Sequence, residues 1–240
     1  MSKGKVRILW SGITGRTGTC AKESVKNCDY AEIVAGVCRS DDNYYKYNQL
    51  DDIKEDFDII IDFSHKDSFD KVLDYAIKKK KPIIIGTAGL SEEQEQRFID
   101  ASYVIPVFRG GNFRFYVKKF IDAVIEYAKD HDDLTIVETH YKNKKVPSET
   151  AKVVVQKVKE KTGKDMKIES HLLYEERIND WKVDDIHCRV VGFEELADDL
   201  LKIAYLMKNK PAIGVYDLDR LLDESKELIY KDNEENYKIK

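Results

Sequence analysis

Five short apolar runs recur through the first part of the chain: Val6–Trp10, Ile33–Val37, Asp58–Phe63, Pro82–Gly86 and Tyr103–Phe108. Each is rich in β-branched residues and nearly continuous. A strand with one face in water alternates apolar and polar side chains, whereas a continuous run suits a strand covered on both faces. Helical stretches lie between the runs. Ser68–Lys79 spaces Phe69, Val72, Leu73, Ala76 and Ile77 along one face, and Ser91-Glu92-Glu93-Gln94 is a capping box opening another helix. Strand and helix in alternation predict an α/β unit with a doubly wound parallel sheet, because each parallel connection must cross over a face of the sheet.

Ligands of such sheets collect at the carboxyl ends of the strands, and four of those ends are unusual here. Directly behind the first run stands Gly12-Ile13-Thr14-Gly15-Arg16-Thr17-Gly18. A strand, a glycine turn and a helix N-terminus make a cradle for a pyrophosphate, and Arg16 adds a cation within it. The second run ends in Cys38-Arg39-Ser40, and an arginine there suits a ribose 2′-phosphate. This predicts NADPH as cofactor, with NADH as the alternative. Gly86-Thr87-Ala88-Gly89 is a small-residue turn that lets a flat ring or a ribose approach the backbone. Gly110-Gly111-Asn112-Phe113 is another close-approach turn. Together they predict a Rossmann-type dinucleotide site.

The pattern changes after Asn112. Phe113–Lys129 reads as an amphipathic helix carrying Val117, Phe120, Ile121, Val124, Ile125 and Ala128 on one side. Leu134–Thr139 reads as a strand with interleaved polar residues, His140–Pro147 as a loop, and Ser148 to about Lys161 as a helix. Met166–Tyr174 and Val183–Arg189 read as two further strands, and Phe193–Met207 as another helix. This predicts a second, α+β domain on a mixed or antiparallel sheet with helices on one face. The expected division is 1–112 plus 210–240 for dinucleotide binding, and 113–209 for substrate binding and oligomerisation. Ile213–Tyr216 and a helix from Asp217 to Ile229 are expected to pack back on the first domain. The polar stretch beyond Tyr230 is expected to fray.

The formal net charge of −4 argues against a nucleic-acid partner. No stretch approaches the ~20 apolar residues of a membrane span. The start, Met-Ser-Lys-Gly-Lys, has no signal-peptide character, so a cytoplasmic protein is expected. Cys20, Cys28, Cys38 and Cys188 lack metal-ligand spacing and read as reduced thiols, and no metal is expected.

One polar cluster dominates the second half: Glu138-Thr139-His140-Tyr141-Lys142-Asn143-Lys144-Lys145-Val146-Pro147-Ser148-Glu149-Thr150. It runs from a strand end through a loop to a helix N-terminus. Its lysines and His140 suit an anionic substrate, and the N–H groups around Ser148, Glu149 and Thr150 suit a carboxylate. A histidine beside a lysine can also pass a proton.

Taken in order, these motifs resemble the dihydrodipicolinate reductase family. The resemblance rests on the Gly12–Gly18 turn with its arginine, Ile60-Ile61-Asp62-Phe63-Ser64, Gly86-Thr87-Ala88-Gly89, Asn112-Phe113, and Glu138-x-His140-Tyr141-x-x-Lys144 followed by Pro147-Ser148-Glu149-Thr150-Ala151. It implies a two-domain enzyme, usually a homotetramer formed through the second-domain sheet. Its reaction would be reduction of a cyclic imino dicarboxylate, 4-hydroxy-tetrahydrodipicolinate or dihydrodipicolinate, by NAD(P)H in the lysine (diaminopimelate) route.

The resemblance makes His140 a proton donor or acceptor and Lys144 a proton donor. Tyr141, Glu149 and Thr150 would take substrate positions. Gly12, Ile13, Thr14, Gly15, Arg16, Thr17, Arg39, Gly86, Thr87, Ala88, Gly110, Gly111, Asn112 and Phe113 would take cofactor positions. Tyr141 replaces the family's second histidine and Glu149 replaces a glycine. The loop before Pro147 is one residue short, which leaves Lys145 as an alternative to Lys144. The family's later R-x-G-x-x-x-G-E-H stretch has no counterpart between Ile168 and His187. A related dehydrogenase for another amino or imino acid, and a nucleotide-binding relative with little catalysis, are the competing expectations.

Overall fold

A computed structural model of the chain describes residues 4–110, 112–208 and 213–225. Residues up to Gly110 and from Leu196 onward form one compact unit, and Gly111–Glu195 form another.

The first unit is a seven-stranded sheet. Its strands are β1 (Val6–Ser11), β2 (Ala31–Cys38), β3 (Tyr45–Lys46), β4 (Ile59–Asp62), β5 (Ile83–Ile85), β6 (Pro106–Phe108) and, late in the chain, β11 (Gly214–Tyr216). They lie in the order β11-β6-β5-β4-β1-β2-β3, and every pairing is parallel. The chain starts at β1, works outward to β3, then crosses to β4 on the other side. That reversal puts the switch point between β1 and β4.

Ile59, Ile60 and Ile61 are fully buried, as are Ile8 and Trp10. Burial of each such side chain contributes about 1.5–3 kcal/mol, which explains why these runs carry no alternation. The connections run through α1 (Arg16–Ser24), α2 (Lys66–Lys79) and α3 (Glu92–Ala101). α2 begins at His65, whose Nδ1 accepts from the Asp67 N–H, and the Ser91/Gln94 capping box at α3 forms as expected. The fifth run is shorter than expected. Residues 103 and 104 belong to the turn after α3, where Tyr103 is 72% exposed.

The second unit has a four-stranded mixed sheet: β7 (Thr135–Tyr141), β8 (Lys167–Tyr174), β9 (Ile178–Val183) and β10 (Ile186–Val191), in the order β10-β9-β7-β8. β7 pairs parallel with β8 and antiparallel with β9. Two helices, α4 (Phe115–Asp130) and α5 (Glu149–Thr162), share its core. Val117, Phe120 and Val124 of α4 and Ala151, Val154 and Val158 of α5 pack with Ile136, Trp181, Cys188 and Val190.

Three expectations change here. The strand expected at Val183–Arg189 is a hairpin, turning at Asp184 with φ 47°. β7 runs two residues further than expected, so His140 and Tyr141 are strand residues and the loop starts after them. The helix α6 (Glu194–Lys208) was expected wholly in the second domain, yet from Leu196 on it groups with the first unit. Its apolar face is buried, Tyr205 meets Tyr30 edge-on at 5.6 Å, and Lys208 pairs with Asp58 at 2.9 Å. After β11 comes α7 (Leu218–Asp223), and the last part of the helix expected to reach Ile229, from residue 226 on, lies outside the described residues. The tail beyond Tyr230 lies outside the described residues.

Candidate functional site

In the first unit the predicted cofactor residues gather at the carboxyl edge of the sheet. Gly12 follows β1 with φ 82°, and a Cβ there would lie 2.4 Å from the Phe63 carbonyl oxygen. Only glycine fits. Ile13 faces inward, fully buried, and the N–H groups of Gly12 and Ile13 both donate to the Val37 carbonyl. Ile13 therefore anchors the turn through its side chain. Thr14, Gly15 and Arg16 are exposed, while Thr17 is buried. α1 starts on Gly15 with no side-chain cap, so no side-chain oxygen occupies the N-terminus of the helix. That is the arrangement an anion needs, and the turn fits a pyrophosphate.

Arg39 follows β2, is exposed, and lies 3.8 Å from the Asp67 carboxylate. Gly86 follows β5 and lies under the Phe63 ring, which would be 2.1 Å from a Cβ. Ala88 is exposed and Gly110 half-buried.

Between the two glycine turns stands a residue that local sequence reading does not single out. Asp62, the last residue of β4, is fully buried. Its Oδ1 accepts from Ser11 Oγ at 2.6 Å and its Oδ2 from Thr87 Oγ1 at 2.7 Å. Thr87 Oγ1 in turn accepts from the Ser64 N–H at 3.1 Å. Burial pushes the Asp62 carboxyl above its usual range, against the opposing pull of the Ser11, Ser64 and Thr87 hydrogen bonds. An acid closing a run of three buried isoleucines was the available signal.

The second unit assembles the other predicted residues. On β7 the side chains alternate, and Glu138 and His140 are both fully buried. His140 Nε2 lies 2.9 Å from Glu138 Oε2. Glu138 also accepts from the Ser148 N–H at 3.0 Å and from Ser170 Oγ at 2.7 Å. Burial pushes this carboxyl up, but the bonds from His140, Ser148 and Ser170 outweigh it and hold it down at about 2. An ionised carboxylate only accepts, so Nε2 carries the shared proton. His140 Nδ1 is buried and has no hydrogen-bond partner among the described residues.

Trp181 closes the group. Its ring meets His140 edge-on at 5.5 Å, and its Nε1–H donates to Ser148 Oγ at 3.1 Å. Ser148 Oγ also caps α5 through the Ala151 N–H. Trp181 and Ser170 come from β9 and β8, and nothing local in the sequence marks them.

The other predicted residues of this unit differ in exposure. Tyr141 OH accepts from Arg177 Nη2 at 3.3 Å, and the Arg177 guanidinium sits over the Tyr141 ring at 5.3 Å. Lys144 is half-buried in the turn after β7, its N–H on the Tyr141 carbonyl, and its ammonium has no acidic partner among the described residues. Lys145 is exposed. Glu149 pairs with Lys152 at 2.7 Å. Thr150 is buried in the first turn of α5, where its Oγ1 accepts from Asn112 Nδ2 at 3.4 Å. Asn112 Oδ1 accepts the Arg114 N–H ahead of α4, and Phe113 is buried. Asn112 and Phe113 thus belong to the second unit, and Gly111 lies outside the described residues.

A parallel sheet in this strand order, with a glycine turn at its switch point, defines a Rossmann-type dinucleotide-binding fold joined to an α+β unit. The family model described as dihydrodipicolinate reductase, N-terminus, matches residues 6–113. The 4-hydroxy-tetrahydrodipicolinate reductase of Caldanaerobacter subterraneus subsp. tengcongensis is 34% identical over 158 residues, covering 64% of this chain and 63% of that protein. The enzyme of the same name from Rickettsia rickettsii is 30% identical over 168 residues, covering 66% of each. The matches thus span a little under two thirds of these relatives' length. Among solved structures, the dipicolinate-bound dihydrodipicolinate reductase from Paenisporosarcina sp. TG-14 superposes with a TM-score of 0.65 at 15% identity, covering 89% of this chain and 97% of that one. Residues 6–113 of the chain thus carry the match to the dihydrodipicolinate reductase family. No helix among the described residues is long and apolar enough to cross a membrane.

Proposed function

We propose that this chain is an NAD(P)H-dependent reductase acting on 4-hydroxy-tetrahydrodipicolinate, or the dihydrodipicolinate formed from it by loss of water. The observation that carries the reading is one chain holding both a Rossmann glycine turn and, at the end of β7, an ionised Glu138 bonded to His140 and to the Ser148 N–H at the α5 N-terminus.

The α1 N-terminus with Thr14, Gly15, Arg16 and Thr17 would hold the pyrophosphate. Arg39 would meet a 2′-phosphate, which favours NADPH over NADH, and Gly86–Ala88 would receive the ribose or ring. Gly110, Asn112 and Phe113 complete the proposed cofactor set. A reduced nicotinamide supplies a hydride to the unsaturated ring, and one proton must arrive at the neighbouring atom. The Lys144 ammonium gives that proton. Glu138 holds His140 with its proton on Nε2, leaving Nδ1 as the atom able to accept or relay one. The Thr150 N–H and hydroxyl, with Tyr141, orient a carboxylate of the substrate.

Copies of the chain would meet through the outer face of the second sheet, where Val137, Thr139 and Tyr141 are half-buried, and solution mass measurement tests for the tetramer. The remaining domain assignments follow the same reading, with cofactor on the first unit and substrate on the second.

The test is NADPH oxidation with the dihydrodipicolinate-type substrate. Lys144→Ala should lower kcat by ~10²-fold or more, while Lys145→Ala leaves it near wild type. The reverse pattern would move the role to Lys145. Tyr141 and Glu149, which depart from the family pattern, favour as a second reading a related dehydrogenase for another amino or imino acid. Turnover confined to such a substrate would establish it.

A further inference from the structure

The buried acid at the end of β4 has no role in the scheme above. A carboxylate taken out of water is costly unless each oxygen is satisfied. Here each oxygen has one short hydroxyl donor, Ser11 at the end of β1 and Thr87 in the turn after β5. Ser11 immediately precedes Gly12 of the phosphate turn, and Thr87 immediately follows Gly86 of the second turn. Asp62 sits on the strand between β1 and β5 in the sheet order β5-β4-β1.

The next residue repeats the arrangement in packing. The Phe63 carbonyl is the atom that excludes a side chain at Gly12, and the Phe63 ring is what excludes one at Gly86. The Ser64 N–H occupies a lone pair of Thr87 Oγ1, which leaves the Thr87 hydroxyl proton for Asp62. Both turns are thus fixed to one strand end by short hydrogen bonds from a hydroxyl to one buried carboxyl.

We propose that Asp62 is a positioning residue for the dinucleotide: it ties the phosphate turn to the Gly86–Ala88 turn, so that both ends of one extended ligand meet a single preset edge. The proposal rests on the reading of this chain as a dinucleotide-binding protein. Asp62 is fully buried, so its effect on a ligand must pass through Ser11 and Thr87. A ligand that touches one turn alone should be indifferent to the tie, and a ligand that spans both should depend on it.

The experiment is direct titration of the full chain, by calorimetry, with NADPH and with the half-ligand 2′,5′-ADP. Asp62→Asn should weaken NADPH binding about tenfold or more, the loss of one hydrogen bond, and change the half-ligand by less than about threefold. Ser11→Ala, which removes one hydroxyl of the tie, should show the same split. If Asp62→Asn fails to fold, Ser11→Ala alone carries the test. Equal loss for both ligands, or loss for neither, overturns the proposal. Wild-type protein that binds neither ligand would overturn the dinucleotide reading itself.

Discussion

Each unit buries one carboxylate in its candidate site, and the two are held in opposite ways. Asp62 is bonded by Ser11, Thr87 and Ser64, and burial still prevails, so its carboxyl is pushed up. Glu138 receives an imidazole N–H, a backbone N–H and a hydroxyl, and the bonds prevail, so it is held down at about 2. Burial alone therefore does not decide the charge of an acid. The balance between desolvation and the hydrogen bonds aimed at it does, and that balance falls on opposite sides for Asp62 and Glu138. In the first unit the acid joins two turns. In the second it is a fixed negative charge that sets the tautomer of a histidine.

The largest expected effect separates the two sites by stability. Glu138→Ala strands the His140 Nε2, the Ser148 N–H and the Ser170 hydroxyl in a dry core and should cost about 3–5 kcal/mol. Asp62→Ala strands two hydroxyls, each free to turn, and should cost about 1–3 kcal/mol. The chain has two tryptophans, Trp10 in the first unit and Trp181 in the second. Urea unfolding followed by fluorescence in Trp10→Phe and Trp181→Phe backgrounds reports each unit, and equal costs would erase the contrast.

The next effect is in pH, with opposite signs. Glu138 is depressed when folded, so its contribution is present above its usual value of 4.5 and is lost as pH falls toward about 2. Asp62 is raised when folded, so its contribution is fully present below its usual value of 3.8 and is lost as pH rises through its elevated folded value. Glu138→Gln should flatten the acid limb of stability between pH 4.5 and about 2. Asp62→Asn should remove the opposing slope above pH 3.8. Matching slopes in the two variants would contradict the assignment. The smallest effect sharpens the second site alone. Trp181→Phe keeps the ring against His140 but loses the bond to Ser148, which should cost about 1 kcal/mol.

The first unit was legible almost throughout, because continuous apolar runs and glycine turns are local signals. Its boundaries were less so. Tyr103 and Val104 extend an apolar run but lie in a turn, since α3 continues to Ala101. The second unit hid more. The β9–β10 hairpin turns at Asp184, a residue with positive φ but no glycine to announce it. His140 and Tyr141 look like loop residues because they are polar, and only the Trp181 and Ser170 partners on other strands explain why a polar strand is buried. The Asp62 tie joins residues 51 and 25 positions away in the chain, a distance no window of sequence spans.

The chain leaves the first unit after Gly110 and re-enters it at Leu196, so the second unit is an insert, anchored at both of its ends. The returning segment is stitched to the departing one by β11 lying beside β6, Gly214 to Tyr216 against Pro106 to Phe108. A protease cut anywhere inside the insert would therefore leave two fragments that stay associated. The nucleotide-binding half would survive such nicking as a non-covalent pair, separable only after denaturation.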